Sequence, residues 1–72
     1  MKSAQVIAAL MKAGFRIIRQ SGSHVRLQHP TDPTRQATVP QHSAPLPLWL
    51  IHAVLRQAKI SIIEFRKLLK KK

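Results

Sequence analysis

Four histidines, two carboxylates and thirteen Lys or Arg supply most of the reactive side chains of this 72-residue sequence, which has no cysteine. The missing cysteine removes a thiol nucleophile, thiolate metal sites and disulfide staples together. Asp32 and Glu64 are too few for the carboxylate clusters that hold catalytic metal ions or for a glycosidase pair. A Ser-His-Asp triad would have only the same two acids to draw on, and no Gly-rich phosphate loop of the Walker type occurs. What remains is an imidazole among cations, and imidazole changes its charge near neutral pH. That combination suits one reaction. RNA carries its own nucleophile in the 2′-hydroxyl, so strand cleavage asks for a general base beside that oxygen, cations to bear the phosphorane charge and a proton for the leaving oxygen. DNA lacks the hydroxyl and would resist.

Among the histidines, His24 is best placed, because it follows Ser21-Gly22-Ser23, where small side chains let a nucleic-acid backbone come close. Arg26 should share its face two residues on, and Arg19 should stand across the hairpin. Gly22, Ser23, Arg19 and Arg26 are therefore the candidate RNA-binding residues around a catalytic His24. Spacing alone favours the plainer reading, a polar histidine on a solvent face. His42, in the loop after the third strand, reads as a loop residue or a second site group; His29 belongs to a turn and His52 to the outer face of a helix. Their spacings match no zinc pattern, so neither a metal nor a cofactor is expected. Trp49 offers a stacking surface, but a lone tryptophan in an amphipathic helix is more often core.

The elements that must position these residues are legible from periodicity. Val6, Ile7, Leu10 and Met11 recur at helical spacing between Ser3, a candidate cap, and Gly14, a candidate stop. Phe15 to Gln20 and His24 to Gln28 form a hairpin around the Ser-Gly-Ser turn, with Val25 and Leu27 facing the core and His24, Arg26 and Gln28 facing away. Residues 29–34 make a turn, and Arg35 to Val39 forms a third strand. Three prolines between Pro40 and Pro47 keep that segment a loop. Leu48 to Ala58 is a second helix with Leu48, Ile51, Val54 or Leu55, and Ala58 on its buried side. Ser61 to Glu64 matches a capping box, with Ile60 stapled to Phe65, and opens a last helix carrying Phe65, Leu68 and Leu69. The expected fold is α+β in the order α-β-β-β-α with an added C-terminal helix, the helices covering one face of a three-stranded antiparallel sheet.

This length fits a single domain spanning residues 1–72, and 44% apolar content is enough for a core. A net charge of +11 calls for a polyanionic or acidic partner, nucleic acid being the commonest. Lys70-Lys71-Lys72 reads as a solvated, mobile basic tail that adds unspecific phosphate attraction. No apolar run approaches the roughly 20 residues that cross a bilayer, so the expected setting is cytoplasmic, with no membrane partner. A non-catalytic module for structured RNA fits the same order and charge.

Several stretches together resemble the HicA family of toxins over nearly the whole chain. They are Leu10 through Phe15, Gly22-Ser23-His24, Thr38-Val39-Pro40-Gln41-His42, and Val54 through Ser61. The resemblance implies a fold like a double-stranded-RNA-binding domain, cleavage of messenger RNA without a cofactor, a catalytic histidine at His24 beside Gly22, and an acidic HicB antitoxin that covers the site. It also favours the catalytic reading of His24 over the solvent-face one. Two departures stand out. Where the family has basic residues and a Gly-Thr pair at the start of the second helix, this chain has Pro45-Leu46-Pro47-Leu48-Trp49-Leu50, and Lys59 replaces a common glycine. An exposed apolar patch at the first of these would mark a protein interface.

Overall fold

The computed structural model of the chain describes residues 1–70. Of the expected basic tail, Lys71 and Lys72 lie outside the described residues. The order is α1 (Ser3–Lys12), β1 (Arg16–Ser21), β2 (His24–His29), β3 (Asp32–Pro40), α2 (Leu48–Ala58) and α3 (Ile62–Lys70). The strands form one antiparallel sheet in the order β1-β2-β3. This α+β arrangement fits the double-stranded-RNA-binding-domain description.

Helix α1 buries Val6, Ile7, Ala9 and Leu10. Its first turn is closed by Gln5, whose side-chain oxygen accepts the Lys2 backbone N–H at 2.9 Å. Ser3, expected as the cap, is instead the first helical residue and is buried. Gly14 ends the helix as its position predicts. With φ of +103° it lets its own N–H reach the Met11 carbonyl and the Phe15 N–H reach that of Leu10, both at 3.0 Å. These paired bonds satisfy carbonyls that a helix end leaves open. They also drive Phe15, fully buried, into the core.

In the sheet, Val25 and Leu27 of β2 pair with Val39 and Ala37 of β3, and all four face the helices. Alternation then sends His24, Arg26 and Gln28 to the open face. β3 begins at Asp32, earlier than expected, because the turn needs only Pro30 and Thr31. Pro33 is tolerated because β3 is an edge strand and the ladder asks no donor of that residue. The Asp32 carboxylate accepts from Thr34 N–H at 3.1 Å and from its hydroxyl at 2.6 Å, which orders that strand start. α2 packs along β3 and guards its edge: Gln57 Oε1 accepts the Thr38 N–H at 3.3 Å, and Arg35 Nε donates to the Ala58 carbonyl at 2.9 Å. β1 is exposed throughout, with Ile17 and Ile18 about half uncovered.

The buried stripe of α2 is Ile51, Val54, Leu55 and Ala58. Two expectations fail here. Leu48 is 67% and Trp49 71% exposed, so neither belongs to the core. At 100° per residue Trp49 falls nearly opposite Ile51, whereas Leu46 in the preceding loop is buried and its N–H is held by the Met1 carbonyl. The helix closes at Lys59, whose φ of 57° is left-handed, with the Ile60 N–H on the Leu55 carbonyl at 3.0 Å. Ser61 Oγ then accepts the Glu64 N–H at 3.1 Å, the serine half of the expected capping box, and Ile60 and Phe65 are both buried.

Candidate active site

The β1–β2 hairpin is built to present His24. Gly22 takes φ of +56° while Ser23 stays out of the left-handed region, which is the backbone pattern of a two-residue turn with glycine first. This turn sets Ser21 opposite His24, and two residues further on Arg19 opposite Arg26. A bulge between Ile17 and Arg19 absorbs one residue before the ladder resumes at Ile17 with Leu27. β3 adds Thr38 opposite Arg26.

Arg19, Ser21, His24, Arg26 and Thr38 line one depression of about 200 Å³ on the open face. His24 is exposed, so a polynucleotide can reach the ring. Three of the residues expected from sequence, Arg19, His24 and Arg26, thus share one groove. Gly22 adjoins it from the turn, and a methyl group built on Gly22 would meet nothing within 4 Å. Ser23 is exposed but does not line the groove; its carbonyl accepts the N–H of Gln41, the residue after β3. Ser21 and Thr38 were not among the expected site residues. Thr38 carries a readable signal, since it lies between inward-facing Ala37 and Val39.

The charge of this groove is one-sided. Neither acid lines it, while Arg19 and Arg26 are a facing cationic pair. Gln36 Oε1 accepts from Arg26 Nη2 at 2.9 Å, fixing that guanidinium over the sheet. Asp32 is occupied elsewhere: the Thr34 hydroxyl holds its carboxyl below the ordinary range, Lys59 and Arg35 adding to the effect, and Lys59 Nζ donates in turn to Thr34 Oγ1 at 2.9 Å. Among the described residues no three His, Asp or Glu side chains converge where an ion could be held.

The other histidines have separate surroundings. His29 stands edge-on to Phe15, with ring centroids 5.3 Å apart and planes at 88°, and its Nδ1 lies 3.0 Å from Thr31 Oγ1. Arg35 approaches the same Phe15 ring at 5.3 Å, so His29 and Arg35 both close over the core. His42 is exposed in its loop and does not line the His24 groove. His52 lies on the outer face of α2, where it lines an open apolar depression with Leu48, Trp49 and Arg56.

Among the described residues no helix is long and apolar enough to cross a membrane. No curated protein matches the chain. The family model of the HicA toxin of bacterial toxin–antitoxin systems matches residues 3–60. That span runs from the first residue of α1 to the residue after the α2 stop, and it includes the strand carrying His24 and both arginines facing its groove. The order of elements and the sequence match therefore agree, and the chain belongs to the HicA toxin family.

Proposed function

We propose that this toxin is an endoribonuclease that cuts messenger RNA by general acid–base chemistry at His24, without a metal ion. The observation that carries the reading is the gathering of His24 with Arg19 and Arg26 in one exposed groove beside the unobstructed backbone of Gly22. A scissile phosphate seated between the arginines would bring the adjacent ribose to His24. The imidazole takes the 2′-hydroxyl proton as that oxygen bonds to phosphorus. The bond from phosphorus to the 5′ oxygen breaks, and the leaving oxygen takes a proton from solvent in this open site. The products are a 2′,3′-cyclic phosphate and a 5′-hydroxyl. Every reacting atom comes from RNA, so the protein need only move a proton and stabilise charge.

The test is incubation of the purified toxin and its His24→Ala variant with end-labelled RNA, with and without chelator. Cleavage by the parent in chelator and none by the variant is the expected result. Intact RNA bound by both proteins would instead establish the second reading, a non-catalytic RNA-binding module, which the fold and the +11 charge also suit.

An acidic HicB-like antitoxin is the proposed restraining partner, acting in the cytoplasm. Two observations support it. A strongly cationic toxin is steered toward an acidic inhibitor. The Leu48–Trp49 surface, with Arg56 on the same side of α2, also offers an apolar anchor rimmed by positive charge. It lies at the stretch where this chain departs from the usual family residues.

A further inference from the structure

The open face of the sheet carries more than the His24 groove. A second depression of about 330 Å³ shares Arg26 and Thr38 with it and is otherwise lined by Thr34, Gln36, Ala37 and Gln57. Its volume lies at the low end of the range for small-molecule sites, roughly 300–1,000 Å³. The composition of its wall differs from that of its neighbour. Arg26 is the single cation in its lining, among amides and hydroxyls, and no acid or aromatic ring takes part. A second phosphate would ask for more positive charge, and a stacked base would ask for a ring. Hydrogen-bonding at the edge of a base matches what is present.

The bonds already made in the wall decide which edge. Gln36 is engaged at both ends, accepting from Arg26 at 2.9 Å and donating to the Pro33 carbonyl at 2.9 Å, so it positions the guanidinium. The Thr34 hydroxyl donates to Asp32. Gln57 is half engaged. Its oxygen must face the Thr38 N–H, which can only donate, and its amide nitrogen therefore turns the other way with no partner among the described residues. Two donors, on Arg26 from β2 and Gln57 from α2, thus line one polar depression.

We propose that this depression is a subsite for one nucleobase next to the scissile phosphate, read on an acceptor edge by the Arg26 guanidinium and the Gln57 amide nitrogen. The inference rests on the RNA-binding reading of the His24 groove. Guanine, through O6 and N7, or cytosine, through N3 and O2, presents two adjacent acceptors and satisfies both donors; adenine sets its amine beside N7, and uracil sets N3–H between its carbonyls.

The test uses DNA strands carrying a single ribonucleotide, with each of the four bases in turn beside it on either side, and all-DNA counterparts that cannot be cut. Cleavage rates are read on the first set and dissociation constants on the second. The expected result is a preference of about tenfold for guanine or cytosine over adenine and uracil at one side, and which of the two leads identifies the base. Gln57→Ala levels the preference. Gln57→Glu keeps an oxygen for Thr38 but replaces the donor by an acceptor, so preference moves toward adenine or uracil, each of which sets a donor beside an acceptor, an exchange that a merely structural role would not produce. Equal treatment of the four bases by the parent, or the same ranking in parent and Gln57→Glu, overturns the subsite. Should the ranking change on all-DNA strands while no ribonucleotide is cut, the subsite stands and the nuclease reading falls.

Discussion

Arg19 stands directly opposite Arg26 across the β1–β2 ladder, on the face that carries His24. Like charges so paired destabilise a sheet by a few tenths to about 1 kcal/mol unless an anion lies between them. Gln36 offsets part of this by accepting from Arg26, but Arg19 has no acid beside it in the groove. Replacing Arg19 with Thr should therefore raise the stability of the free protein by about 0.5 kcal/mol. The same change should weaken RNA binding and lower the salt slope by about one counterion. Denaturant midpoints and binding titrations at several salt concentrations check both halves. A loss of stability in the variant would mean that the pair is not in repulsion.

Gly22 supplies the turn that sets Arg19 and His24 in register, and its φ of +56° is where a Cβ is costly. Nothing within 4 Å would clash with an added methyl, so the penalty of Gly22→Ala is backbone strain alone, about 1–2 kcal/mol. Asn tolerates this region better and should cost less. Unfolding curves of the two variants should rank Gly above Asn above Ala. An Ala variant as stable as the parent would show that the turn had shifted to another form.

Lys59 is the converse case. It holds φ of 57° at the end of α2, a position at which glycine pays no Cβ penalty. Lys59→Gly should stabilise the fold by about 0.5–1 kcal/mol, reduced by the exposed bond from Lys59 Nζ to Thr34 Oγ1 that is lost. Thermal or chemical unfolding measures the balance. A destabilised variant would make the Lys59–Thr34–Asp32 chain worth more than the left-handed strain.

Asp32 gives that chain a dependence on pH. Because the Thr34 hydroxyl lowers its folded pKa, folding favours the carboxylate, so the contribution is complete above the unfolded value near 4 and is lost as pH falls through the folded one. The stability curves of the parent and Asp32→Asn should run parallel above about pH 5 and converge only in more acid solution. Curves whose gap changes around neutrality would assign the titration to another group.

What the sequence makes legible depends on which forces are local. The period of two in β2 puts His24 and Arg26 on one face, because Val25 and Leu27 have to be buried. Gly14 announces the end of α1 for a similar reason, since its φ suits glycine. The second depression is not legible in this way. It depends on Gln57, from α2, meeting Thr38, and no local pattern reports which edge strand a helix will flank. Leu48 and Trp49 mislead for another reason: both are apolar and Leu48 is at plausible spacing, yet the buried place at that end goes to Leu46 in a proline-rich loop. Periodicity cannot see a loop residue that substitutes for a helical one.

That exposed pair carries the last prediction. Trp49 is 71% exposed, so Trp49→Ala removes little buried area and should leave stability within about 0.5 kcal/mol. A solvent-facing tryptophan beside Leu48, with Arg56 on the same side of the helix, has the composition of an interface anchor, and such anchors lose about 2 kcal/mol or more when truncated. Trp49→Ala should then bind an acidic antitoxin about 30-fold more weakly, mainly through faster dissociation. Arg56→Glu should act differently, slowing association with a partner of the same sign and leaving dissociation less affected. RNA cleavage by either free variant should match the parent, since neither residue lines the His24 groove. Surface-bound kinetics with the antitoxin, read beside an unfolding curve, separates the outcomes: unchanged antitoxin binding by a well-folded Trp49→Ala would remove this face of α2 from the inhibitory interface.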